Sequence, residues 1–252
     1  MSALYALLCG LALAGPAEDY ARGLEAARSG AHAEAVEALS AAVEAGGRDP
    51  AVYHALGNAL YRQGRSGPAL ASWRRGQRLD PRNGDLAANI DRVRRDAADR
   101  IDPPAATPGA FFWLSFLSLA ESAWLAGLLG LIGGGSLLLR EVLRRRGRAL
   151  SRAGLEVYVG LAGAALLGAS TLVAAGAHDT VVVVAPEVSA VSALGPDGIE
   201  LFVLHEGAEV ALVEATAGAV LVALPDARKG WLPDSAVLRT APAAPLSLEG
   251  AR

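Results

Sequence analysis

Two apolar runs of membrane-spanning length, separated by a short connector carrying six arginines, constrain this chain more than any other feature. The first extends from Gly109 to Leu139, broken only by Glu121. As one helix it would extend roughly 46 Å, longer than a hydrocarbon core of about 30 Å, and would bury the Glu121 carboxylate at a cost of about 2.5–3.5 kcal/mol at mid-depth. The spacing therefore predicts a linker and interfacial segment at 103–121 and a spanning helix at 122–139. Phe111, Phe112, Trp113, Phe116 and Trp124 would then form an aromatic belt at the membrane surface. The second run, Val157 to Ala177, holds no charge and predicts a spanning helix at 155–177.

The connector at 140–154 sets Arg140, Arg144, Arg145, Arg146, Arg148 and Arg152 against Glu141 alone. Short loops rich in arginine remain in the cytoplasm, so both ends of the chain are expected outside it. Small residues at four-residue intervals, Gly130 and Gly134 in the first run and Gly160, Ala164 and Gly168 in the second, suit close packing of the two helices. Composition agrees with a chain partly in lipid: 52% of residues are hydrophobic, 19% are charged, and the mean hydropathy is +0.32.

Residues 1–17 read as an export signal. Ser2 to Ala14 is apolar and too short to span, and Ala12-Leu13-Ala14 forms a small-x-small cleavage pattern. Cys9, the only cysteine, lies in this stretch after Leu8 and leaves no pair for a disulfide or a metal site.

Residues 18–102 carry an internal match at a period of 34: Gly23 with Gly57, Gly30 with Gly64, Ala35 with Ala69, and Leu39 with Trp73. Each copy predicts a helix pair, at 18–28 with 33–45 and at 51–63 with 67–78, and Leu86, Ile90 and Val93 mark a capping helix at 84–98. The second copy, with Tyr53, Leu56, Gly57, Leu60, Gly64, Ala69, Trp73 and Asp80-Pro81, resembles the tetratricopeptide repeat family. That resemblance implies a protein-binding groove along the first helices of the repeats, 18–28 and 51–63, with Asn58 and Arg62 as its candidate polar contacts. Arrays of this kind usually need three or more repeats. Two repeats and a cap are expected to lean on a partner or on the membrane.

From 180 to 240 the pattern turns to short β-rich stretches: 180–184, 200–204, 209–214, 219–224 and 229–232. Five short strands suggest a small barrel. Leu204 to Val210, Gly230-Trp231-Leu232-Pro233 and Ala236-Val237 resemble the bacterial SH3-like family, and Trp231 is a candidate protein-binding residue. Val191-Ser192-Ala193 lacks the arginine usual before the Gly-Pro turn, and Ala219 stands where an aromatic is common, so docking of protein is favoured over binding of cell-wall peptide. The tail at 241–252, rich in Ala and Pro, is expected to be mobile.

No catalytic, cofactor or metal site is expected. His32, His54, His178 and His205 show no ligand spacing, and the chain has neither a Gly-x-Ser-x-Gly elbow nor a His-Glu-x-x-His motif. Gly133-Gly134-Gly135 lies in an apolar run with no following Lys, so it is no phosphate loop. No segment has the basic, aromatic-rich surface that nucleic acid requires.

The fold class expected is thus multidomain: an all-α tetratricopeptide repeat stack, a two-helix transmembrane hairpin and a small all-β SH3-like barrel. The order of these parts is similar to the BatE-type family of the bacterial aerotolerance (Bat) system. The resemblance implies a non-enzymatic scaffold in the bacterial inner membrane, with both soluble parts extracytoplasmic. Its implied partners are Bat membrane proteins with von Willebrand A-type domains, and a MoxR-type ATPase in the cytoplasm. The alternative is an envelope protein that holds peptidoglycan through its SH3-like domain.

Overall fold

The computed structural model of the chain describes residues 15–46, 48–99, 101, 116–147, 155–176, 180–195 and 197–241. Residues 1–14 of the expected export signal, Phe111, Phe112, Trp113, Arg148, Arg152 and residues 242–252 lie outside them. The chain forms two compact units, one made of residues 1–104 and 178–252, the other of 105–177.

The first unit opens with five helices: α1 (Pro16–Arg28), α2 (His32–Glu44), α3 (Pro50–Arg62), α4 (Ser66–Leu79) and α5 (Gly84–Asp96). Local chemistry sets their limits. Prolines occupy the first turns of α1 and α3, where no backbone donor is missed. Asp49 caps α3 by accepting the Ala51 N–H, and Asn83 caps α5 by accepting the Leu86 N–H. Gly30 and Gly64, one repeat period apart, both close a helix at φ 80°, a left-handed conformation that favours glycine. The repeat also sets how closely helices approach. A Cβ at Gly23 would lie 2.6 Å from Leu39 Cγ, and one at Gly57 would enter the Trp73 indole. Leu39, Leu56, Leu60, Ala69, Leu70 and Trp73 are buried between the helices, and Leu86, Ile90 and Val93 of α5 join them.

The same unit continues in seven antiparallel strands: β1 (Thr180–Val183), β2 (Glu187–Val191), β3 (Glu200–His205), β4 (Glu209–Thr216), β5 (Ala219–Ala223), β6 (Lys229–Pro233) and, after a 3-10 turn at Asp234–Ala236, β7 (Val237–Arg239). They form one sheet in the order β3-β2-β6-β5-β4-β1-β7. Bulges between Ala190 and Val191 and between Leu212 and Glu214 bend it. One face thereby encloses a core that joins Val181 and Val183 of β1 to Ala190 of β2 and Leu204 of β3. Two strands exceed the five expected. Glu187-Val188-Ser189-Ala190-Val191 has too little apolar mass to announce β2, and β7 is only three residues long.

Helices and sheet share a core. Val181 and Val183 face the sheet interior, whereas Val182 and Val184, with Leu238, join the helical cluster. Polar contacts between α4 and the sheet run alongside. Gly67 N–H donates to Glu206 Oε1 at 2.7 Å, so a carboxylate from the β3–β4 turn caps the start of α4, where Arg65 offers no side-chain cap. A Cβ at Gly67 would lie 2.6 Å from the Val183 carbonyl oxygen. Arg74 binds Glu209, and the buried Arg75 donates to the Arg239 carbonyl from Nε and Nη2 at 3.0 and 2.7 Å. Burial lowers the Arg75 guanidinium to about 10, an effect the nearby Tyr53 partly opposes. The support that two repeats and a cap need is thus the chain's own sheet.

The second unit holds α6 (Leu119–Arg145) and α7 (Leu155–Gly176), two helices long and apolar enough to cross a membrane. α6 begins earlier and ends later than the expected 122–139. Ser118 and Glu121 form a reciprocal capping box, which uses the carboxylate at the helix start, and the helix continues through Arg140, Arg144 and Arg145. The helices meet backbone to backbone at Gly133 and Gly160, where a Cβ on Gly160 would lie 2.7 Å from the Gly133 nitrogen. Gly130 faces Ala164, while Gly134 and Gly168, expected at the contact, have nothing beside them. Arg140 and Glu156 pair across the two helices at 2.5 Å.

Candidate protein-binding groove

A cavity of about 770 Å³ opens between α3, α4 and α5, lined by His54, Asn58, Tyr61, Arg62 and Trp73 with Asp85, Asn89 and Arg92 from α5. The groove expected along α1 and α3 is therefore displaced toward the C-terminal side of the stack. The reason is geometric: α5 packs against α4, and the cavity closes between α3 and α5.

Its polar floor is ordered by one donor. The Trp73 indole N–H can only donate, and it donates to Asn58 Oδ1 at 3.2 Å. That orients the Asn58 amide, whose Nδ2 then faces His54 Nε2 at 3.3 Å. Asn89 Nδ2 also donates to Asn58 Oδ1, at 3.1 Å, and lies 3.2 Å from the same His54 nitrogen. Both amide nitrogens thus lie within hydrogen-bond distance of the one His54 ring nitrogen. Trp73 is itself held in place by Gly57 behind it and by Tyr61, whose ring centroid is 5.7 Å away at 47°.

Asn58 and Arg62 are one turn apart on α3 and line the same cavity, as their sequence spacing requires. The other half of the site, Asn89 and Arg92 on α5, was missed by sequence reasoning. A signal existed: Asn89 and Arg92 stand on the helix whose Leu86, Ile90 and Val93 already marked a buried face. Trp231 is elsewhere, half-buried on β6. The structure does not bring it together with Asn58 and Arg62. Among the described residues, no group of three or more His, Cys, Asp or Glu side chains could hold a metal ion. Comparison with family models, curated proteins and solved structures found no match to this chain.

Proposed function

We propose that this chain is a non-enzymatic scaffold, anchored in the inner membrane by α6 and α7, that holds a segment of a partner protein in the α3–α5 groove on the extracytoplasmic face. The observation that carries the reading is the ordered amide floor of an open groove: Asn58 and Asn89 are held by Trp73 and His54 before any ligand arrives, so these side chains would lose little further ordering entropy on binding. The two-copy helix pairs with the 34-residue period support a tetratricopeptide-type stack, and the curled sheet with Gly230-Trp231-Leu232-Pro233 supports an SH3-like module. The order of parts supports membership of the BatE-type family, with von Willebrand A-type membrane proteins as the expected partners.

Topology is supported from two directions. The helical stack and the sheet lie on opposite sides of α6 and α7 in sequence yet form one compact unit, which supports a chain that returns to the face it left. The arginines at the α6 end support a cytoplasmic connector. Alkaline phosphatase fused after Arg148 should be inactive and after Thr240 active; the reverse would overturn the topology. For the groove, a photoreactive amino acid at position 62 should yield a discrete protein adduct in native membranes, diminished by Asn89→Ala. Adducts with lipid alone would overturn the binding reading.

A further inference from the structure

A very short connector leads from α7 into the sheet. As a membrane span, the 22 residues of α7 rise about 33 Å, enough to carry Gly176 across a hydrocarbon core of about 30 Å to the interface. Thr180, the first residue of β1, follows four positions later. Four residues reach at most about 14 Å, and the headgroup layer is itself about 5–8 Å deep, so the chain alone keeps Thr180 in or just above the phosphates.

Two arginines stand at this point of entry. Arg78 of α4, an exposed residue, donates from Nη2 to Thr180 Oγ1 at 3.3 Å. Arg239 comes from β7, which runs antiparallel to β1, so the last residue of one strand lies at the same end as the first of the other. Thr240 ties the two strands there: its N–H donates to the Thr180 carbonyl at 3.0 Å, and the two hydroxyls share a bond of 2.6 Å. Val237 faces the sheet interior and Leu238 the helices, so alternation turns Arg239 away from the helical side on which Arg78 lies. Arg75 fixes the Arg239 backbone through its carbonyl, yet the part-exposed Arg239 guanidinium has no partner among the described residues.

A guanidinium held at headgroup depth has an evident complement. Its planar fork of donors matches phosphate oxygens, and the arginine stem can lie along apolar surface while the head stays among charged groups. A zwitterionic lipid brings its own cation to compete for that phosphate, whereas an anionic one does not. We propose that Arg239, with Arg78 on the other side of Thr180, binds the phosphates of anionic phospholipid in the leaflet at the Gly176 end of α7. The site is separate from the α3–α5 groove and rests on the reading of α7 as a membrane span.

The test uses the full chain with Cys9→Ser and Ala241→Cys, labelled with a fluorophore at position 241 next to Thr240, in phosphatidylcholine nanodiscs. These contain a small fraction of either phosphatidylglycerol or phosphatidylcholine that carries the same nitroxide quencher near the top of one acyl chain. Because depth and quencher are the same, any difference reports enrichment of the anionic lipid beside the label. Labelled phosphatidylglycerol should quench at least twofold more than labelled phosphatidylcholine. Arg78→Gln with Arg239→Gln should make the two equal, Arg239→Lys should keep the preference, and Arg144→Gln with Arg145→Gln, at the other end of the helix pair, should leave it unchanged. Failure of the chain to co-elute with the nanodisc would overturn the membrane reading and this proposal together. Equal quenching in the intact chain, no quenching by either lipid, a preference that survives Arg78→Gln with Arg239→Gln, or one lost with Arg239→Lys or with the Arg144 and Arg145 substitutions would overturn this proposal alone.

Discussion

Arg74 on α4 grips Glu209 on β4 through two parallel bonds, Nε to Oε1 at 2.5 Å and Nη2 to Oε2 at 2.7 Å, with the carboxylate only 4% exposed. Arg94 of α5 approaches the same carboxylate at 3.7 Å. A fork of this kind ties two helices to the sheet. Its removal from one side only would strand a buried charge, which costs more than the pair contributes. Arg74→Ala should therefore destabilise the chain by about 3 kcal/mol, softened by Arg94, whereas Arg74→Met with Glu209→Leu should recover most of the loss. Denaturant unfolding in detergent distinguishes them; equal stability of the single and double variants would refute the assignment.

The shared core makes a prediction about parts. Each of Val182, Val184 and Leu238 contributes about 1.5–3 kcal/mol when buried against the helices. Residues 16–101 alone should melt well below the same helices joined to 180–241 by a flexible Gly/Ser linker of about 15–20 residues replacing α6 and α7. Equal melting temperatures would show that the helices do not lean on the sheet.

Gly57 is where the repeat and the groove meet. Alanine there drives a methyl group into the Trp73 indole, which cannot yield without leaving Asn58. Gly57→Ala should cost about 1–3 kcal/mol and alter the near-ultraviolet dichroism of the tryptophan. Gly23→Ala, pressed against the more pliant Leu39, should cost less.

α6 and α7 touch at Gly160 and Gly133, and among the described residues no neighbouring atom comes within 4 Å of a Cβ placed at Gly134 or Gly168. Gly160→Val should separate α6 from α7, read as loss of protease resistance in detergent. Gly134→Val and Gly168→Val should have no effect on it. A uniform response at all three sites would argue against this register.

Asp226 gives a pH dependence. The Arg228 backbone N–H first, then the Arg228 guanidinium, hold its carboxyl below the ordinary aspartate range. A lowered folded value means the stabilisation is present in full above the unfolded value, about 4, and is lost as pH falls through the folded one. Carboxyl NMR should find Asp226 titrating low in the intact chain. Arg228→Ala removes the side-chain bond but keeps the backbone N–H, so it should move Asp226 only part of the way back.

Much of this was legible in the sequence because it depends on neighbours. Helix limits are set by Asp49-Pro50, Asn83 and the glycines at 30 and 64, all local chemistry. Asn58 and Arg62 share a cavity because they sit one helical turn apart. The run Val181 to Val184, which makes most of β1 and continues one residue past it, was also readable in principle: successive valines without alternation mark a strand buried on both faces. What it packed against was not readable.

By itself, then, the sequence determined the parts: two helix pairs and a cap, two apolar helices about an arginine-rich turn, and short strands with their turns. Periodicity, capping and hydropathy act over a few residues, and a linear reading captures them. Only the tertiary structure decided that the sheet docks on α4, that the groove closes between α3 and α5, that α6 and α7 touch at Gly133 and Gly160, and that Arg78 and Arg239 converge on the first residues of β1. Those relations join residues tens to more than a hundred positions apart, and complementary shape and charge select them only once the elements exist.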